Sequence, residues 1–133
     1  HLHPGSICLY LQAKGLDRAI AITDSIMAAG LPDGEYMLGV NEVVVKDGDA
    51  RLKHGDARAG STLTMARAFR NLRKFTGRPT AELVPLLSEN AARLLGEEKR
   101  IGSLTPGKQA DLLILKDDEI HRVMLRGAFC NFD

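Results

Sequence analysis

The chain has only two cysteines, Cys8 and Cys130. They offer no paired spacing for a zinc site, and buried, reduced thiols in a cytoplasmic protein are the expectation. Charge excess is missing as well. Eighteen basic side chains face seventeen acidic ones for a net +1, which gives no reason to expect nucleic acid or an anionic membrane as partner. No apolar run reaches the length of a membrane span, and no basic-then-apolar signal segment opens the chain. Internal repeats and low-complexity tracts are absent too. The chain starts at His1 rather than methionine, and a piece of something longer is expected.

What remains is an ordinary globular composition of 133 residues, 44% apolar and 26% charged, enough for one modest core. Residues 5–14 read as a short helix stopped by Gly15. "GLPDG" is a strong turn signal. From Glu35 to Lys53 the text becomes β-like, with Val43, Val44 and Val45 favouring a strand and Asp47-Gly48 supplying a tight hairpin turn. Met65, Phe69, Leu72 and Phe75 then recur at helical spacing, with Ser61 or Thr62 as the expected cap and Gly77 as the stop. Arg67, Arg70 and Lys74 occupy another face of that helix, either as a grip for a phosphate or as a solvated surface. "TAELVPLLSENAARLLG" reads as two short helices, because Pro85 disturbs the first and Ser88 or Asn90 can start the second. After Gly96, two apolar strands, Asp111–Leu115 and Ile120–Leu125, predict a hairpin in a separate small sheet.

The stretch "AIAITDSIMAAG", Ala19 to Gly30, carries the chemical question. Ala19 to Ile22 have the continuous apolar character of a parallel strand buried on both faces. Asp24 stands where such a strand would emerge, the place where α/β folds keep their chemistry. A helix cap or turn aspartate is the alternative on these residues alone.

The tail "RIGSLTPGKQADLLIL" resembles the closing segment of amidohydrolase-superfamily enzymes. The stretches "TDSIMAAGLPDGEYMLG", "VKDGDARL" and "AGSTLTMARAFRNL" resemble the N-acetylglucosamine-6-phosphate deacetylase family, and the likeness runs from His1 to Gly127. This resemblance implies an α/β fold: the C-terminal part of a metal-dependent (β/α)8 barrel over residues 1–100, with a β-hairpin insertion at about 35–53. Residues 101–133 would then be strands of a small β-sandwich. It implies that Asp24 is the catalytic acid/base, that His1 contacts the sugar, and that Arg58, Ala59 and Gly60 form a loop closing over the substrate. "HGDARAGS" departs from the family pattern by an extra residue and a charged Arg58.

The resemblance further implies a divalent metal, zinc or iron, an amino-sugar phosphate substrate, and cytoplasmic amino-sugar catabolism. "HLH" has the spacing of a metal-binding histidine pair. The family's pair, however, lies on the first barrel strand, most of a barrel before the aspartate, so no metal ligand is assigned to this chain. A whole barrel takes about 250 residues. The chain is therefore expected to be a C-terminal fragment without catalysis of its own, held in a homo-oligomer or by the remainder of its parent. The competing expectations are another amidohydrolase, such as a dihydroorotase or cytosine-deaminase relative, and a non-catalytic association module.

Overall fold

The computed structural model describes residues 1–131. The chain divides into two compact units: residues 1–21 with 69 onward, and residues 22–68.

In the first unit, helix α1 (Pro4–Lys14) begins with proline in its first turn and ends at Gly15, whose N–H donates to the Leu11 carbonyl at 3.0 Å with φ +84°. This is the expected glycine stop. Helix α2 (Met65–Thr76) enters the unit at Phe69, and α3 (Thr80–Leu87) and α4 (Glu89–Leu94) follow. Leu11, Ala19, Phe69, Leu72, Leu83 and Leu86 form the core, with Ile7, Leu16, Ala21, Leu87 and Leu115 packed around it. The break between α3 and α4 falls where the proline predicts: α3 continues for two residues past Pro85, and Ser88 separates it from α4. An antiparallel meander closes the unit, β4 (Leu112–Lys116), β5 (Glu119–Leu125) and β6 (Ala128–Phe129) in that order. The expected hairpin is its first two strands.

The second unit is built on the other meander. Strands β1 (Gly34–Leu38), β2 (Asn41–Lys46) and β3 (Asp49–Leu52) pair antiparallel, and Lys46 opposes Asp49 across the predicted Asp47-Gly48 turn. Both turn residues have positive φ, +52° and +73°. The Asp33 carboxylate accepts both of their N–H groups. At the β5–β6 turn the Asp111 carboxylate accepts the Arg126 N–H at 2.7 Å, while the Gly127 N–H donates to the Ala110 carbonyl at 3.0 Å. Val43, Val45 and Ala50 on the inner face meet Ala28 and Ala59 to make this unit's core.

Two expectations are corrected. Residues 19–23 form no strand ladder, and Ile22 is 73% exposed although Ala19 is buried. A strand exists only with hydrogen-bonded neighbours, and none of the described residues pairs with this run as a ladder. The cap of α2 is Thr64 rather than Ser61 or Thr62. Its Oγ1 accepts the Arg67 N–H at 3.3 Å and its carbonyl accepts the Ala68 N–H at 2.9 Å. Ser61 and Thr62 spend their hydroxyls elsewhere, on the Thr23 and Gly48 carbonyls. Among the described residues, no helix is long and apolar enough to cross a membrane.

Candidate active site

Asp24 ends the apolar run with φ +51°. That left-handed conformation costs an L-residue about 1–2 kcal/mol, although aspartate enters it more readily than most. The segment around it is clamped to residues 61–63. The Ser61 hydroxyl donates to the Thr23 carbonyl, and the Ser61 N–H donates to the Asp24 carbonyl at 2.8 Å. The Ile26 N–H donates to the Ser61 carbonyl at 2.9 Å, and the Ser25 hydroxyl donates to the Leu63 carbonyl. Ser25 and Ser61 form an isolated parallel bridge. Asp24 itself is exposed, so its carboxylate is accessible while its backbone is fixed.

Gly60 passes directly beside this aspartate. A Cβ at residue 60 would lie 2.8 Å from the Asp24 carbonyl oxygen, 2.8 Å from Ile26 Cγ2 and 3.8 Å from Asp24 Oδ2, and φ there is +65°. Only glycine fits both the space and the backbone conformation. The structure thus brings Asp24 and Gly60 together.

The neighbouring residues of the loop face other groups. Ala59 is buried, and its N–H donates to the Ala50 carbonyl at 2.9 Å. Arg58 turns to the β-meander, where its Nε donates to Asp49 at 3.1 Å beside Arg51, whose Nε donates to the same carboxylate at 2.8 Å. The Arg51 hydrogen bond, followed by that of Arg58, holds the Asp49 carboxyl below its ordinary value.

His1 is an exposed residue of the other unit. In His3, Nδ1 accepts the Gly5 N–H at 3.1 Å and caps α1. His54 Nε2 lies 3.2 Å from Glu42. No group of three or more His, Cys, Asp or Glu side chains among the described residues is placed to hold a metal ion. These residues therefore do not amount to a closed metal centre. Ser61, expected as a helix cap, is the residue of the site that its position in "AGS" did not reveal, because a serine before a helix looks the same whether it caps or clamps.

Comparison with known proteins gives the family of the chain. The model of the amidohydrolase family matches residues 18–130. The N-acetylglucosamine-6-phosphate deacetylase of Bacillus subtilis (strain 168) is 42% identical over 96% of this chain and 32% of its own length. The N-acetylgalactosamine-6-phosphate deacetylase of Escherichia coli O157:H7 is 37% identical over 99% of this chain and 35% of its own length. The crystal structure of the Thermotoga maritima N-acetylglucosamine-6-phosphate deacetylase superposes with a TM-score of 0.89 at 38% identity, over 97% of this chain and 35% of that one. The chain spans about a third of each of these relatives. The resemblance carried by "TDSIMAAGLPDG" and "AGSTLTM" is borne out, and the chain belongs to the amidohydrolase family.

Proposed function

We propose that this chain is the C-terminal portion of an amidohydrolase that removes the acetyl group of N-acetylglucosamine 6-phosphate, and that Asp24 is its acid/base. The barrel-plus-sandwich architecture of the parent and a cytoplasmic homo-oligomer belong to the same proposal. The observation that carries it is Asp24 itself: an accessible carboxylate on a backbone segment held by three hydrogen bonds to Ser61 and by the neighbouring Ser25 hydroxyl, in a chain with close deacetylase relatives.

The chemistry needs one positioned proton carrier. As the water oxygen bonds to the amide carbonyl carbon, Asp24 takes the water proton. As the C–N bond breaks, it returns that proton to the departing nitrogen, leaving acetate and glucosamine 6-phosphate. Gly60 lies beside Asp24, and its N–H makes no hydrogen bond among the described residues, whereas that of Ala59 is already spent on Ala50. We assign the Gly60 N–H to the substrate; Arg58 and His1 are proposed as substrate contacts of the full-length protein. The divalent metal, zinc or iron, is assigned to residues of the full protein other than those described.

Acetate release by the full-length protein tests the reading, with N-acetylgalactosamine 6-phosphate as the comparison substrate. A higher kcat/KM on N-acetylglucosamine 6-phosphate is expected. Absence of acetate release from either sugar phosphate would contradict it.

A further inference from the structure

Ser61 is buried at 9% exposure, and every polar group it owns is committed to the segment carrying Asp24 or to its own turn. The hydroxyl donates to the Thr23 carbonyl and accepts the Leu63 N–H at 3.1 Å. Its N–H and carbonyl take the Asp24 carbonyl and the Ile26 N–H. A residue so engaged has nothing left to offer a substrate. Yet a left-handed, non-glycine backbone such as that of Asp24 persists only where its surroundings over-determine it. The residue just before Asp24 is held through the Ser61 side chain, whereas Asp24 and Ile26 are held through the Ser61 backbone. The hydroxyl is therefore the part of Ser61's share of this clamp that a substitution can remove.

We propose that Ser61 is a positioning residue for Asp24: its hydroxyl pins the Thr23 carbonyl and thereby fixes the direction of the carboxylate. This rests on the reading of Asp24 as acid/base. Without the hydroxyl, the Thr23–Asp24 peptide is free to rotate, residue 24 relaxes out of the left-handed region, and the carboxylate moves away from its working place. A displacement of about 1 Å at a reacting group can cost about a hundredfold in rate.

The test uses the full-length protein. Ser61→Cys is close to isosteric but a poor donor, and Ser61→Ala is made alongside so that either folded variant reads the effect. The expected result is a kcat lowered about 10- to 100-fold, with KM changed by less than about threefold and kcat restored in Ser61→Thr, which keeps the hydroxyl. The Asp24→Asn/Ser61→Cys double variant should turn over no more slowly than Asp24→Asn alone, since Ser61 acts through the aspartate. A crystal structure of Ser61→Cys should show residue 24 outside the left-handed region. Wild-type kcat in both Ser61 variants would overturn the proposal. So would a loss that multiplies with that of Asp24→Asn, or an unmoved Asp24 in the crystal structure. Wild-type turnover in Asp24→Asn would instead overturn the functional reading, and this proposal with it.

Discussion

Asn90 shows how much one side chain carries in this chain. It is buried, and its Nδ2 donates to the carbonyls of Leu16 and Ala19, both at 2.7 Å. These carbonyls belong to the irregular run leading away from α1, which has no strand ladder to satisfy it. The amide of α4 thus does for residues 16–19 what a neighbouring strand does elsewhere. Asn90→Asp keeps the volume but replaces the donor with an acceptor facing two carbonyl oxygens. We expect it to destabilise the fold by about 3 kcal/mol, the upper part of the range for an unsatisfied buried group, with Asn90→Ala costing less. Denaturant unfolding measures this, and equal stability of wild type and Asn90→Asp would show that the two carbonyls find other partners. From sequence, Asn90 reads only as one possible start of a helix. Its partners lie more than 70 positions away, a separation that no local pattern reveals.

Elements that depend on their own residues were legible, and those that depend on distant ones were not. The β2–β3 hairpin follows from Val43–Val45 and Asp47-Gly48, because the turn's positive φ values and the alternating inner face are local properties. Helices α1 and α2 stop at Gly15 and Gly77 for the same reason. The run 19–23 has strand composition, but a strand is a relation between segments, so composition alone did not decide it. Three hydroxyls, those of Ser61, Thr62 and Thr64, precede α2, and each suits a cap. Tertiary contacts draw off the first two, leaving Thr64. Thr64→Ala should therefore destabilise the chain by about 1 kcal/mol, the usual cost of losing a cap, and Thr64→Ser should restore it. Thermal melts of the three proteins check this, and an unchanged midpoint in Thr64→Ala would remove Thr64 as the cap.

At the scale of the whole molecule, much apolar surface is uncovered. Ile22, Leu94, Leu95 and Leu104 are each more than 70% exposed. Strands β1 and β4 have no strand on their outer sides among the described residues. Open edges and apolar surface together favour association. The isolated 133-residue chain is thus expected to scatter light at micromolar concentration as a species well above its 14.5 kDa monomer mass. A stable monomer with cooperative unfolding would show that these surfaces need no partner. Function belongs to the same scale, because Asp24 is proposed to act as acid/base in the full-length protein. The turnover of full-length Asp24→Asn on N-acetylglucosamine 6-phosphate tests that assignment most directly. Substrate binding should stay close to that of wild type while kcat falls by about 10²–10⁴, the loss expected for a positioned acid/base. Turnover within a factor of a few of wild type would contradict it.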